Sequence, residues 1–275
     1  MRFLEKYGLK EFMSFWFALW VFVFGLSIGS FLNVLILRLQ SNEHSIWTKR
    51  SYCFHCRKTI WWRDLVPVLS WFWLRRRCRS CKARISARYP LVEIFVGFLA
   101  VFGWWFAPNL SQAFDFFIFC ALALVIGLID LESWLIPVPL LILMTLFGLG
   151  FGYAEGYWIF ESRLIGALLG FGFLAVFMLI STWILRLTGR LKADESAMGF
   201  GDPLLMGAIG AYLGWLWLPF VLTLGSLQAV IAYGLISWVR KPIEGDDWAP
   251  PDKSMPFGPF LTLAAIEISI FILIQ

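Results

Sequence analysis

The sequence is poor in charged residues, since Asp, Glu, Lys and Arg together make up 15% of its 275 residues. A soluble globular domain carries about 25% charged residues, so this scarcity excludes an ordinary soluble globule. Two further features are missing from the sequence: a repeated segment, and a glycine-rich loop that follows a strand. The first absence argues against a transporter built from paired halves, and the second argues against a nucleotide-binding loop.

Apolar residues are abundant instead: 60% of the chain is hydrophobic, 16 residues are Trp, and the mean hydropathy is +0.77. About 20 apolar residues are needed for a helix to cross a bilayer. Eight such runs are present, at about 12–37, 90–107, 113–130, 135–153, 164–185, 203–216, 218–238 and 259–274. We therefore expect an all-α integral membrane protein with about eight transmembrane helices, of which the sixth and the last are short.

We expect the first apolar run to be a membrane span rather than a signal peptide. It extends over 12–37, which is too long for a signal-peptide core, and it lacks a cleavage site of small residues.

Basic residues are concentrated between the first two runs. The segment 38–88 contains 13 of the 23 Lys and Arg residues, against only two acidic ones, Glu43 and Asp64. Lys and Arg stay on the cytoplasmic side of a membrane, so we expect this loop inside and both termini outside, despite Arg2, Lys6 and Lys10. The net charge of +5 is then explained by the orientation of the protein in the membrane and by binding to anionic lipid. No nucleic-acid partner is expected.

The same loop carries two Cys-x-x-Cys pairs, Cys53 with Cys56 and Cys78 with Cys81. Each pair presents two sulfur atoms from one turn, so two pairs can surround a tetrahedral ion. Two disulfides are the alternative, which a reducing cytoplasm disfavours. We expect a structural zinc ion held by the four thiolates, with His55 outside the ligand set.

The zinc site divides the chain into three expected parts. These are an N-terminal segment with the first transmembrane helix at 1–37, a cytoplasmic zinc-binding loop at 38–89, and a seven-helix membrane domain at 90–275. The middle part is rich in apolar and aromatic residues between Ile60 and Leu74. Because it is too short to form a core of its own, it needs the metal and the membrane surface for support.

Two aspartates stand at the ends of apolar runs. Asp130 ends the third run shortly before Pro137, and Asp202 opens the sixth run after Gly199 and Gly201. A carboxylate at the edge of a bilayer is costly, so it indicates a functional group. The glycines permit a positive φ and a close approach of the backbone, and the proline predicts a helix break near Asp130.

A structural explanation competes with a catalytic one. Asp202 is a candidate N-cap of the helix that follows it, and Asp130 closes a helix. If either aspartate is considered alone, this structural role is enough to explain its position. Taken together, two carboxylates that share a proton form an acid and a base that can activate water against a peptide carbonyl. Both residues lie on the cytoplasmic side of the expected topology.

Another carboxylate supports a function of a different class. Glu267 lies midway along the last run and would serve as a relay group, beside Asp130 and Asp202, in a proton-coupled transporter. A hydrogen bond to a neighbouring helix is the simpler explanation for Glu267. A non-catalytic scaffold of a secretion machine, with the cysteine loop as a docking module, is a third hypothesis.

Small residues at intervals of four indicate helix-packing faces. The pairs are Gly166 with Gly170 and Gly210 with Gly214.

The order of these motifs resembles the bacterial type IV prepilin peptidases, which are membrane aspartic proteases of the GxGD group. The resemblance covers almost the whole chain. It is carried by Gly29-Ser30-Phe31-Leu32-Asn33-Val34, the double Cys-x-x-Cys loop, Tyr89-Pro90-Leu91-Val92-Glu93, Asp130 with Ile136-Pro137, Gly199-Phe200-Gly201-Asp202, and Pro256-Phe257-Gly258-Pro259.

The resemblance implies cleavage of a short basic leader from prepilins or pseudopilins, just after a glycine, by Asp130 and Asp202 at the cytoplasmic face of the bacterial inner membrane. It also implies N-methylation of the new N-terminus with S-adenosylmethionine, by a site that no motif identifies. Most members carry a lysine two residues after the second aspartate, where this chain has Leu204, and often Asn or Asp where it has Val138. Both aspartates are retained despite these two differences from the family pattern. The sequence leaves the oligomeric state open.

Overall fold

A computed structural model describes residues 9–40, 50–53, 55–192, 196–239 and 256–275, with the side chains of 9–14 and 237–239 left out of the description. This part of the chain is helical, and its β pairing is limited to two isolated antiparallel bridges in the cysteine loop. The α-helices are α1 Leu9–Gln40, α2 Leu69–Trp73, α3 Arg88–Phe106, α4 Leu110–Ser133, α5 Val138–Glu155, α6 Tyr157–Leu187, α7 Gly201–Leu213, α8 Leu218–Val239 and α9 Gly258–Ile274.

Each of the eight predicted runs corresponds to one of the long helices. Judged by length and composition, six helices in the described part of the chain can cross a membrane, namely α1, α3, α4, α5, α6 and α8. The other two, α7 with 13 residues and α9 with 17, are the two short ones. The all-α membrane class is therefore confirmed, and the number of eight spans stays a prediction.

Some of the basic residues that bear on the predicted orientation lie outside the described residues. Lys49 belongs to the basic loop that supports the orientation, whereas Arg2 and Lys6 argue against it.

The chain forms two compact units that meet at the bond between Phe117 and Ile118, inside α4. The first unit contains α1, the cysteine loop and α3, and the second contains the last part of α4 and all later helices. The finer division at residues 37 and 89 stays a prediction.

In the first unit, α1 packs along α3 at small residues. A Cβ atom added at Gly25 would lie 2.8 Å from the Cα of Gly97, and one at Gly29 would lie 2.7 Å from the Cα of Glu93. The side chain of Asn33 then donates a hydrogen bond from Nδ2 to the carbonyl oxygen of Tyr89, at 3.1 Å. This close approach fixes the end of α1 against the start of α3.

In the second unit, the short helix α7 is the centre of the packing. It contacts α5, α6, α8 and α9, and nearly all of its residues from Asp202 to Tyr212 are buried. Glycine makes this possible, since a Cβ atom at Gly166 or at Gly210 would collide with the backbone carbonyl oxygen of the other residue. The predicted packing faces are confirmed for Gly166, Gly170 and Gly210, whereas Gly214 follows the end of α7 with φ of 78°.

Replacing Gly210 with Ala is expected to destabilise the second unit. The new methyl group has no space against the backbone of α6, and overpacking of this kind costs about 1–3 kcal/mol. Thermal unfolding in detergent measures the effect. Gly172→Ala is the matched control, because a Cβ atom at Gly172 meets nothing within 4 Å, so its unfolding temperature should not fall. Equal behaviour of the two variants would contradict the packing described.

Candidate active site and cysteine cluster

Asp130 lies in the last turn of α4, with only 4% of its surface exposed. The helix ends three residues later because Trp134 adopts a left-handed conformation, with φ of 57°, and donates its backbone N–H to the carbonyl of Asp130 at 2.9 Å. Pro137 has no backbone N–H and caps the start of α5, with φ of −74°. The predicted chain break beside Asp130 is therefore present, at residues 134–137.

Asp202 lies in the first turn of α7 and is 9% exposed. The expectation that it caps this helix is wrong. The helix begins at Gly201, its N-cap is Phe200, and no side chain makes a capping hydrogen bond. Asp202 is instead the second residue of the helix, where the dipole of α7 favours negative charge.

The two carboxylates lie close enough for the charge of Asp130 to act on Asp202. The residues between them explain how this proximity arises. Ile136 lies at the junction of α4 and α5. A Cβ atom added at Gly201 would lie 2.9 Å from its side chain, and one added at Gly258 would lie 3.4 Å from it. The ends of α4, α7 and α9 thus meet around one isoleucine.

Gly258 lies against Asp130, a contact that its place in the Pro256-Phe257-Gly258-Pro259 motif does not predict. It is the first residue of α9, and its backbone N–H donates a hydrogen bond to the carboxylate of Asp130. A Cβ atom at this position would collide with Oδ2 of Asp130. The crossing of α4 and α9 is equally tight one turn away, where a Cβ atom at Gly127 would collide with Oγ1 of Thr262.

The three residues of the predicted active-site motif have different roles in the structure. Gly201 is needed for the close approach to Ile136, whereas a Cβ atom at Gly199 would meet only Oδ2 of Asp202, at 3.8 Å. Neither glycine has a positive φ, since the glycines with that conformation in the described chain are Gly156, Gly189 and Gly214. Pro137 shapes the junction that carries Ile136.

Two neighbouring carboxylates in a buried site favour a state that holds a single proton. The group that keeps the proton can act as an acid while the other acts as a base. The hydrogen bond from the backbone N–H of Gly258 holds the carboxylate of Asp130 in place. The site can therefore polarise a carbonyl with one carboxyl group and activate a water molecule with the other.

Glu267 has a partner on another helix. Its Oε2 atom accepts a hydrogen bond from Nε2 of Gln228 on α8, at 2.6 Å. This is the simple structural explanation expected for a carboxylate within the last run.

The four cysteines of the loop form a cluster in which all sulfur atoms lie within 4.8 Å of one another. Cys53 and Cys81 are 3.8 Å apart at their sulfur atoms. Tetrahedral zinc with Zn–S bonds of about 2.3 Å requires sulfur atoms separated by about 3.8 Å. The cluster therefore fits a tetrahedral ion, and none of the four cysteines forms a disulfide.

The two Cys-x-x-Cys turns have the same local structure. Arg57 and Lys82, each four residues after the first cysteine of its turn, have φ of 57° and 60° and donate their backbone N–H to the carbonyl of that cysteine. Hydrogen bonds, the largest of them from the backbone N–H of Cys81, lower the pKa of the Cys78 thiol to about 7, while the pKa of the neighbouring Cys81 thiol is raised to about 11. A lowered pKa favours the thiolate, which is the form that binds metals.

The predictions for His55 and Cys120 agree with the structure. His55 is exposed and does not belong to the cluster. The fifth cysteine, Cys120, lies in the core of the second unit, fully buried.

A helical membrane fold with two buried, interacting carboxylates at adjoining helix ends defines a class, the multi-pass membrane aspartic proteases. Comparison with known families specifies the class. Residues 117–235, which include Asp130 and Asp202, match the type IV leader peptidase family. Residues 23–107 match the bacterial peptidase A24 N-terminal domain.

Curated relatives agree with the family models over most of the chain. A prepilin leader peptidase/N-methyltransferase of Aeromonas hydrophila is 35% identical over 89% of this chain and 87% of its own length. Proteins of the same name from Myxococcus xanthus, 30% identical over 92% of this chain and 89% of the relative, and from Klebsiella pneumoniae, 35% identical over 80% and 97%, are also similar. No solved structure matches the chain.

The chain belongs to the type IV leader peptidase family and is a multi-pass inner-membrane protease.

Proposed function

We propose that the protein removes the leader peptide from type IV prepilins or pseudopilins and that Asp130 and Asp202 are its catalytic pair. The observation that carries this proposal is the electrostatic interaction of two buried carboxylates within the segment that matches the leader peptidase family. The curated relatives are named for the same reaction.

In the proposed mechanism, ionised Asp130 accepts a proton from water while protonated Asp202 donates a hydrogen bond to the scissile carbonyl. The water oxygen forms a bond to the carbonyl carbon, and the carbonyl oxygen takes the proton of Asp202. Collapse of the tetrahedral intermediate breaks the C–N bond, and the departing amine receives the proton held by Asp130. The carboxyl proton returns to Asp202, so the pair is restored.

The proposed orientation places the site on the cytoplasmic side. It rests on the excess of Lys and Arg in the loop between α1 and α3. A prepilin would then bring its apolar helix through the bilayer and its leader to the membrane interface, where α4 and α7 present their aspartates.

Incubation of the purified protein with a prepilin in detergent, followed by mass spectrometry of both fragments, tests the function. We expect one cut, just after a glycine at the end of the leader. An uncleaved prepilin, together with proton-coupled flux in proteoliposomes, would favour the transporter hypothesis and overturn the proposal.

Zinc is the proposed ligand of the cysteine cluster, where it serves a structural purpose. The four thiolates fill its coordination sphere and leave no position for substrate. The ion would hold the two turns together in a loop that exposes large apolar side chains: Trp61, Trp62, Leu69, Phe72 and Trp73.

Replacing Cys53 with Ser is expected to remove bound zinc, from one ion per chain to less than about a tenth of that, because three ligands leave the site incomplete. The loop should become sensitive to limited proteolysis. Zinc analysis by mass spectrometry and digestion of the folded protein measure both effects. Cys120→Ser is the control, since Cys120 is buried in the second unit and should leave the zinc content unchanged. Folded wild-type protein without zinc would refute the assignment.

N-methylation of the newly formed N-terminus is the second proposed activity, with S-adenosylmethionine as the methyl donor. It is supported by the names of the curated relatives. Transfer of a labelled methyl group to cleaved pilin measures this activity.

A further inference from the structure

A polar pair lies midway along two neighbouring helices of the second unit. Glu267 is an exposed residue of α9, and Gln228 is a half-buried residue of α8. Their side chains are joined by the hydrogen bond of 2.6 Å from Nε2 of Gln228 to Oε2 of Glu267. Because α8 is long and apolar enough to cross a membrane, its midpoint places the pair near the centre of the bilayer, where an ionisable side chain is costly.

The bond to Gln228 does not account for the exposed position of Glu267. It occupies one carboxyl oxygen, yet the residue faces away from the packed helices, and lipid chains offer no hydrogen bond. The Oε1 atom of Gln228 also has no hydrogen-bond partner among the described residues. Polar side chains within a membrane are satisfied by neighbouring helices, so the pair indicates that a further helix lies against this face.

The residues around Glu267 form an apolar surface that suits another helix. Leu263 and Phe271, four residues before and after Glu267, lie on the same side of α9 and are exposed. On α8, Ile231 follows Gln228 by three residues and is exposed as well. We call the surface formed by Leu263, Glu267, Phe271 and Ile231 the Glu267 face. Only 11% of the apolar window of α8 is buried, the lowest share among the six candidate spans, so the face is open to contact.

Helix α9 connects the Glu267 face with the two aspartates. It begins at Gly258, whose backbone N–H donates a hydrogen bond to the carboxylate of Asp130. Glu267 follows roughly 13 Å further along the helix axis, and its side chain tilts back towards the start of the helix. A helix that enters the bilayer from Asp130 along α9 would therefore meet Glu267 within roughly its first two or three turns.

We propose that the Glu267 face binds the transmembrane helix of the prepilin during cleavage, an inference that rests on the proposed leader-peptidase function. The partner is an apolar helix that carries, in its first turns after the cut, one side chain able to donate a hydrogen bond to Glu267. The apolar residues of the face pack against this helix, and the hydrogen bond fixes its depth. The depth of the helix then determines which peptide bond reaches Asp130 and Asp202, so Glu267 is a specificity-determining residue.

The test compares two substrates of the full chain in detergent: a full-length prepilin, and a peptide that contains the leader and a few following residues but no transmembrane helix. Glu267→Leu should raise the KM of the prepilin about fivefold, the order of one hydrogen bond between membrane helices. Its kcat should stay near that of the wild type, because the lost interaction binds the ground state and the transition state equally. Glu267→Gln keeps a hydrogen-bonding side chain and should restore most of the affinity. With the short peptide, Glu267→Leu should match the wild type, since this substrate does not reach the face.

Thr223→Val is the matched control on α8. Thr223 is an exposed polar residue whose hydroxyl group bonds the carbonyl of Pro219 in its own helix, so the KM of the prepilin should not change. A wild-type KM for prepilin in Glu267→Leu would overturn this inference alone. An equal loss with both substrates would also overturn it, because the loss would then not depend on the transmembrane helix. A wild-type protein that cleaves neither substrate would overturn the proposed function as well.

A photo-crosslinking residue in place of Leu263 identifies the occupant of the face directly. In the Asp202→Asn background, where the prepilin is expected to remain uncleaved, irradiation should join the two proteins. The same residue in place of Leu168, an exposed position of α6, is the control and should give no such product. A product that joins two copies of the peptidase instead of the peptidase and the prepilin would overturn the assignment of the partner.

Discussion

Replacement of Asp130 or of Asp202 by Asn lowers the rate of prepilin cleavage by about 10²- to 10⁴-fold, the usual contribution of a general acid or base. Asn has the shape of Asp but neither ionises nor donates an acidic proton. The pair would lose either its base or its acid, because the two buried carboxylates act on one another. Quantitative mass spectrometry of the released leader gives the rates.

Glu132→Gln is the control for this prediction. Glu132 is a carboxylate in the same last turn of α4, two residues after Asp130, but it is exposed. We expect a cleavage rate close to that of the wild type. If processing persists in both aspartate variants, the catalytic assignment is wrong and the non-catalytic scaffold becomes the better hypothesis.

Replacement of Gly258 by Ala is expected to lower kcat by about 10²-fold, although Gly258 has no side chain that takes part in chemistry. The added methyl group would collide with Oδ2 of Asp130, so either the carboxylate or the start of α9 must move. A misplacement of about 1 Å suffices for a 10²-fold loss of rate. The loss should appear in kcat with little change in KM, because Gly258 positions Asp130 rather than the substrate.

Gly150→Ala is a matched control for Gly258→Ala. Both glycines lie in helices, but a Cβ atom at Gly150 meets nothing within 4 Å. Cleavage by Gly150→Ala should equal that of the wild type. A Gly258→Ala enzyme with normal kcat would show that Asp130 does not depend on the close approach of α9.

Most of the fold follows from the sequence because a membrane helix needs a long apolar run. The differences arise where polar or cyclic residues interrupt a run. Helix α5, which corresponds to the fourth apolar run, begins at Val138 rather than at 135 because Pro137 restricts the chain before it. Helix α6, which corresponds to the fifth run, begins at Tyr157 rather than at 164 because Arg163 is satisfied inside the protein, by the carbonyl of Gly148 at 2.7 Å and by Glu155.

The candidate site was only partly predictable. Asp130 and Asp202 were identified because carboxylates at the ends of apolar runs are rare and costly. The role of Gly258 depends on contact with a residue 128 positions away in the chain, and local pattern carries no information on such contacts.

The central claim is that Asp130 and Asp202 act as one unit, and the double variant Asp130→Asn, Asp202→Asn tests it most directly. Its rate of prepilin cleavage is measured beside the rates of both single variants. Residues that act together show strongly non-additive losses, so we expect the double variant to be no slower than the slower single one. Losses that multiply, or a single variant with the wild-type rate, would contradict the shared role of the two carboxylates.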